Sequence, residues 1–398
     1  MSLQHTDHVD VALIGAGPHA LTCAAFLRHV DPALRIVAVD PSGSWLTTWR
    51  RQMARQDIDV LRSAGVHHPH PDPMALIDRA GRGDLVGDYN SPTVAAFDRL
   101  CREVVATCHL EDAVLAGQVV ELDPDRKRPR LRLSSGRELT ARHVIAASNT
   151  RTPTWPEWAQ RVARAPGALP DQLRHARHVD LGAHSALRSS VVVIGGGLSS
   201  VQYARGAHER GAHVTLVARR TLEERTFDVD PGWLGPKYLA DFDAETSWER
   251  RAETVVAARG GGTVPARWLD EIRGIAARSS RLEIVEGDIV TSATVEPLRW
   301  RLRLGSGRVL DTNEVWLATG SVATVERGLY RAMVMRLPVP TAGGLPALDH
   351  QLRWGGAPVH LVGSTAALVL GPAAGNLAGA RAGAERVTAA ITGCWPET

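Results

Sequence analysis

Alternating strand-like and helix-like segments make this 398-residue chain an α/β protein, and two observations divide it into related halves. The first is a strand, glycine turn and helix that occurs twice. Residues 9–20 read VDVALIGAGPHA, and residues 191–200 read VVVIGGGLSS. The second is a repeat. RLRLSSGRELTARHVIAASN at 130–149 aligns without gaps to RLRLGSGRVLDTNEVWLATG at 301–320, and ten of the twenty positions are identical. Each copy has the pattern of a β-hairpin whose second strand ends at a small-residue corner. The repeat offset, 171 residues, is nearly the spacing of the two glycine turns. Together these features predict two Rossmann-like dinucleotide-binding domains.

The first unit is an apolar strand running into Gly15-x-Gly17-x-x-Ala20, with Pro18 and His19 inside the turn, followed by an Ala-rich helix from about Ala20 to His29. Gly15 permits the tight turn, Gly17 lets a pyrophosphate approach the backbone, and Ala20 allows close helix–strand packing. The N–H groups at the helix start face the phosphates. The next strand, from Arg35 to Val39, ends at Asp40, where an acid can bond a ribose hydroxyl.

The second unit, Gly195-x-Gly197-x-x-Ser200, carries Leu198 and Ser199 at its helix start, and the helix runs to about Arg210. The strand that follows, His213 to Val217, leads into Arg219 and Arg220 rather than an acid. An arginine there pairs with a 2′-phosphate, which favours NADP(H) over NAD(H); the alternative is a solvated pair at a strand end.

A third glycine-rich stretch follows a strand at 358–364 that ends in Gly363-Ser364. It begins at Leu370-Gly371-Pro372, passes Gly375-Asn376 and opens a small-residue helix. Two uses fit it equally: an anion or carbonyl site at a helix start, or tight helix packing.

Composition removes other classes. A hydrophobic share of 44% and a charged share of 22% describe a globular chain rather than a disordered one. Lys+Arg 46 against Asp+Glu 43 leaves a net charge of only +3, too thin and too dispersed for a nucleic-acid binder. The basic run from Asp125 to Arg130 fits a solvated hairpin flank. The four cysteines, Cys23, Cys101, Cys108 and Cys394, make no C-x-x-C pair and no zinc-ligand spacing. His67, His68 and His70 lie in a Pro-rich loop without partnered acids, so no metal is expected and the loop is taken to line a site. The eleven tryptophans suit core and interface packing more than substrate stacking. Met1 to Asp10 is polar and no apolar run reaches 18 residues, so the expected location is the cytoplasm, with no membrane partner.

The two turns, the Ala318-Thr319-Gly320 corner and the C-terminal glycine-rich helix start resemble the two-dinucleotide-domain flavoproteins over nearly the whole chain. The resemblance implies an NADP domain inserted in a discontinuous FAD domain: FAD bound by 1–180 and 310–398, NADPH by 185–305. On that footing Gly15, Gly17, Pro18, His19, Ala20, Asp40, Gly363, Gly371 and Asn376 hold FAD. Gly195, Gly197, Leu198, Ser199, Ser200, Arg219 and Arg220 hold NADPH. Disulfide reductases of this architecture need a cysteine pair that is missing here. The chain is most similar to the flavin-dependent N-hydroxylating monooxygenases of the lysine and ornithine group. Pro41-Ser42-Gly43-Ser44-Trp45 resembles their acid-then-Gly-x-Trp stretch and adds Trp45 to the FAD set. Met53 to Arg62 resembles their stretch beside the flavin, with Gln56 the nearest amide. Phe227 to Phe242 resembles their loop after the arginine.

That likeness implies hydroxylation of a nitrogen or sulfur on a small amine or thioether, using NADPH and molecular oxygen (O2), through a C4a-hydroperoxyflavin. Arg62 is a candidate for a substrate carboxylate, or else a surface salt bridge. Three departures withhold the substrate. The Asn-Tyr motif is replaced by Gly260-Gly261-Gly262-Thr263-Val264-Pro265, the C-terminal Leu-Leu-Ser by Gly-Asn-Leu-Ala-Gly, and the first corner reads Ala147-Ser148-Asn149. Two other functions share every cofactor motif: an oxidoreductase that passes electrons on without oxygen insertion, and a non-catalytic flavin-binding sensor. The sequence also leaves a homo-oligomer open.

Overall fold

The computed structural model describes residues 7–124, 127–148, 151–164, 172–183, 189–296 and 299–396. Val11, Ala12 and Leu13 are fully buried, as a strand covered on both faces requires. That strand, Asp7–Ile14, lies at the centre of a seven-stranded sheet. Ile36–Asp40 and then Val114–Ala116 continue the sheet in parallel on one side. Glu138–Ala146 is its parallel neighbour on the other.

Glu138–Ala146 serves two partners along one edge. Its first residues, Glu138 to Thr140, pair antiparallel with Arg130–Leu133, which pairs in turn with Val119–Asp123. Its last residues, Val144 to Ala146, pair in parallel with Val359–Leu361 near the C-terminus. Helix Pro18–Val30 starts where Pro18 can occupy the first turn without losing a needed N–H, and it packs along helix Leu377–Thr392.

The second sheet is wholly parallel, in the order Leu173–His175, Glu314–Leu317, Ser190–Ile194, His213–Ala218 and Leu282–Glu286. A three-stranded antiparallel sheet, Val290–Glu296, Arg299–Leu304 and Val309–Thr312, packs beside it. Both doubly wound sheets are therefore present, one lying in sequence within the other.

The sheets divide the chain differently from the expected limits of 1–180, 185–305 and 310–398. Leu173–His175 and Glu314–Leu317 both belong to the second sheet. The reason is the repeat: its second copy ends in the strand that borders the second glycine turn, just as its first copy ends beside the first. Helices Pro236–Ala244 and Trp248–Arg259 also leave the second body, burying Phe242, Ala252 and Val255 in the core of the first.

The segments beyond the two corners meet each other. Arg151–Pro153 pairs antiparallel with Ser321–Ala323, so the repeat also builds the ribbon that joins the bodies. Asn149, the last residue of the first corner, and Asp125 and Arg126 of the basic run lie outside the described residues. Arg130, at the end of that run, pairs with Asp123 at 3.1 Å on the exposed hairpin. Trp300, Trp316 and Trp354 are fully buried and Trp158 and Trp268 nearly so, in keeping with packing roles. Among the described residues no helix is long and apolar enough to cross a membrane.

Candidate functional site

A cavity of about 690 Å³ opens beyond the carboxyl ends of the first sheet. Gly17, Pro18 and His19 border it on one side, and Ala147 and Ser148 form its corner. Residues 362–365 and 375–378 close it from the C-terminal segment, and the 227–234 loop faces them.

The first turn is built for close approach. Gly15 has φ +98°, and a Cβ there would lie 3.2 Å from Ala147 O. Gly17 has no protein atom within 4 Å of a Cβ position, so the space before the helix start is open. Ala20 is fully buried. Asp40 stands beside this turn: its Oδ2 accepts from Ala16 N at 3.1 Å and its Oδ1 from the Ser42 hydroxyl at 2.6 Å. His19 donates from Nε2 to Ala374 O at 3.1 Å, and burial holds its pKa below the usual value. A neutral imidazole thus ties the first helix to the C-terminal segment.

Trp45 and Gln56 do not line this cavity. Trp45 is buried in the core and donates from Nε1 to Leu110 O at 2.8 Å; Trp49 lines the cavity instead. Gln56 caps the end of helix Thr47–Arg55 and is buried, whereas Gln52, one turn earlier, lines the cavity. The helix is entered through Leu46, at φ +61°.

The C-terminal stretch both borders the cavity and packs tightly against its own turns. Gly363 (φ +76°), Ser364, Gly375 and Asn376 line the cavity. Gly379 instead packs so closely that a Cβ would overlap Ala373 O and Ala374. Gly371 is not a lining residue; it turns beneath Leu239, 2.9 Å from where its Cβ would be.

Asp228 is the carboxylate of the cavity. It accepts from Asn376 Nδ2 at 2.9 Å and pairs with Arg259 at 2.6 Å, so the loop after the second turn is fastened to the C-terminal segment. Arg151 also lines the cavity, donating to Ser364 Oγ at 3.0 Å and Ser321 Oγ at 3.0 Å. Asp228 lies in the stretch from Phe227 to Phe242 noted for its resemblance, but nothing in the sequence marks its carboxylate for this place. Arg151 is signalled indirectly, since it lies just past the repeat corner.

Arg62 borders the cavity with four of its N–H groups engaged by neighbouring loops. Its Nε donates to Thr226 O at 2.9 Å and its Nη1 to Thr263 O at 3.0 Å. Its Nη2 donates to Arg225 O at 2.6 Å and Thr263 Oγ1 at 2.8 Å. Burial lowers its pKa to about 10, which leaves it charged at neutral pH. These bonds make it a strap between the 225–226 loop and Thr263. In the histidine loop, His67 lines the cavity, while His68 and His70 bond within the loop to Pro73 O and Asp72 N.

The second turn repeats the first in its bracing. A Cβ on Gly195 would overlap Ala318 O, the counterpart of Ala147 O in the repeat. Ser200 is buried and donates to Gly197 O at 2.7 Å, while Ser199 is exposed. The surroundings differ, however. Gly262 Cα is 3.2 Å from where a Gly197 Cβ would be, and Leu198 N donates to Thr263 O at 3.1 Å. Arg219 is exposed, and Arg220 donates to Gly260 O and Gly262 O.

The fold is shared with solved flavoenzymes. Kutzneria sp. 744 ornithine N-hydroxylase, solved with reduced FAD, NADP+ and L-ornithine, superposes with a TM-score of 0.78 at 17% identity, over 97% of this chain and 99% of that one. The cadaverine monooxygenase of the desferrioxamine pathway of Erwinia amylovora, bound to FAD, gives 0.75 at 13% identity, over 99% and 96%. Bacillithiol disulfide reductase from Bacillus cereus gives 0.63 at 15% identity, over 97% and 99%. No curated protein sequence matches the chain. The sequence profile of one family covers residues 9–233, from the first glycine turn through the other and into the loop facing the cavity. On that match, which spans more than half of the sequence, the chain belongs to the pyridine nucleotide-disulphide oxidoreductase family.

Proposed function

We propose that the chain is an FAD-dependent, NADPH-using monooxygenase that hydroxylates a nitrogen, or a sulfur, of a small molecule. The observation that carries this reading is a large cavity at the first glycine turn, reached from the loops after the second turn, that no described cysteine lines. Cys23 and Cys101 are buried in the core, and burial pushes the Cys23 thiol up to about 12. Neither is a thiolate near neutral pH, so disulfide exchange has no nucleophile at this site. The likeness to ornithine and cadaverine enzymes supports an amine as the acceptor.

The residues fit both cofactors. Gly15, Gly17 and Ala20 shape an open cradle at a helix start, Asp40 stands at the ribose position, and Gly363 and Asn376 close the far side. Gly195, Gly197, Leu198, Ser199 and Ser200 form the NADPH turn, with Arg219 and Arg220 for the 2′-phosphate. The FAD domain then comprises the first sheet with residues 359–396, and the NADPH domain the second sheet. Bound FAD supplies hydride acceptance and the activation of oxygen. The protein orients and shields: Trp49, Leu61, Val66, Phe227 and Leu234 give the cavity apolar walls that exclude water. Gln52 takes the amide position expected of Gln56, and Asp228, held by Asn376 and Arg259, keeps a negative charge at the cavity wall toward a cationic amine.

A screen of amines, amino acids and thioethers for NADPH and O2 consumption tests this. Hydroxylated product in step with NADPH oxidation is the expected result. Peroxide alone with every compound, together with electron delivery to a disulfide or another acceptor, would move the chain to the reductase reading, which the likeness to bacillithiol disulfide reductase favours.

A further inference from the structure

The second glycine turn is covered by another part of the chain. Gly260, Gly261 and Gly262 follow one another with φ of +60°, +78° and +106°, a path that side chains with a Cβ rarely take. This path brings Gly262 against Gly197, the glycine whose missing side chain leaves room for a pyrophosphate. Thr263 O then accepts from Leu198 N at 3.1 Å, one of the helix-start donors that a phosphate would use.

Two arginines fasten this segment. Arg62 comes from the cavity side and gives Thr263 two hydrogen bonds, to its carbonyl and to its hydroxyl, at 3.0 and 2.8 Å. Arg220 holds the carbonyls of Gly260 and Gly262. The segment has a fixed end at Val264, which exchanges backbone bonds with Glu223 and Arg225. At its other end Gly260 caps helix Trp248–Arg259 in a left-handed turn. Three glycines between two anchors make a short hinged flap.

We propose that Gly260–Thr263 is a lid over the dinucleotide turn and that Arg62 is its latch. The nucleotide enters as the lid lifts: phosphate replaces Thr263 O at Leu198 N, and the 2′-phosphate takes Arg220 from the glycine carbonyls. Arg62 is a positioning residue that sets how often the site is open, and Arg220 makes NADPH better than NADH at opening it. The inference rests on the second turn binding a dinucleotide. Apparent affinity is then proportional to the open fraction, so weakening the latch should tighten binding.

Calorimetric titration of the flavin-loaded protein with NADP+ and with NAD+ tests the lid, alongside limited trypsin digestion at the Arg259–Gly260 bond. Arg62→Ala should bind NADP+ and NAD+ about tenfold tighter and be cut faster at that bond. Thr263→Val, which keeps the shape and loses one latch bond, should move the same way by about threefold. Arg220→Ala should split the two ligands: NAD+ tighter, NADP+ weaker. A folded Arg62→Ala or Thr263→Val protein that binds NADP+ as the wild type does, or more weakly, overturns the lid while leaving the nucleotide site standing. Should Arg62→Ala fail to fold, Thr263→Val and Arg220→Ala decide the matter. No binding of either nucleotide by the wild type removes both the site and the lid.

Discussion

The two glycine turns share a motif and a brace, yet they present different faces. Each follows a parallel strand, starts a helix and rests its first glycine on a corner carbonyl, Ala147 O or Ala318 O. At Gly17 the first turn opens onto empty space, whereas Gly197 and Leu198 of the other are met by Gly262 and Thr263. The motif thus encodes a backbone shape that leaves room for a phosphate. What stands in that room depends on chain distant in sequence, here about sixty residues downstream of Gly197.

The contrast can be broken at the glycines. Gly195→Ala places a methyl group into Ala318 O and must displace backbone, so a loss of roughly 3 kcal/mol or more is expected. Gly15→Ala meets its carbonyl at 3.2 Å with an unfavourable φ, and roughly 1–2 kcal/mol is expected. Chemical denaturation of both variants measures the gap; equal losses would mean that the corners do not brace their turns as described.

Acid should act chiefly on the first body. His68 and His360 are buried there, and desolvation lowers the pKa of each to about 4. His360 packs against His143 at 3.3 Å and bonds Gln351 O at 2.8 Å, with Asp349 and Arg353 nearby. In the unfolded chain these histidines titrate near 6.5. Stability is therefore full above about pH 6.5 and falls toward pH 4, as the unfolded chain takes up protons first, by roughly 2–3 kcal/mol per histidine. Melting temperature followed from pH 7 to 4 should fall less steeply in His360→Gln than in the wild type.

At the second turn, Arg219→Ala with Arg220→Ala should cut the preference for NADPH over NADH by about tenfold, or ~1.4 kcal/mol. An unchanged ratio of binding constants for the two nucleotides would remove the phosphate role. The smallest stability effect is expected at Gly17→Ala. Its φ of −83° suits alanine and its surroundings are empty, so the flavin-free protein should keep its stability within about 0.5 kcal/mol. Flavin content after purification should nonetheless fall, because the methyl group occupies the approach to the helix start.

Much of the frame was legible because it repeats. The turns, the hairpins and the corners are local patterns of apolar strands and glycines, and each appears where its pattern stands. Domain limits were less legible, because a strand such as Glu314–Leu317 carries no mark of which sheet it will join. Trp45 and Gln56 lie one helical turn from Trp49 and Gln52, which line the cavity; residues four apart share a helix face, so the pattern marks the face but not the position along it. Arg62 was found, but its strapping bonds were not legible. Three of its four hydrogen bonds end on backbone carbonyls, which no side-chain pattern announces.

The shared edge of Glu138–Ala146 has a consequence for the order of assembly. All five strands of the second sheet lie between Leu173 and Leu317. The first sheet waits for Val359–Leu361 to cover Val144–Ala146, and helix Pro18–Val30 waits for Leu377–Thr392. On a ribosome, where the chain emerges from its N-terminus, the body begun second is the one that can be completed first. The body begun first must hold an open apolar edge until the final segment arrives, and that interval is when the growing chain is most exposed to misassembly.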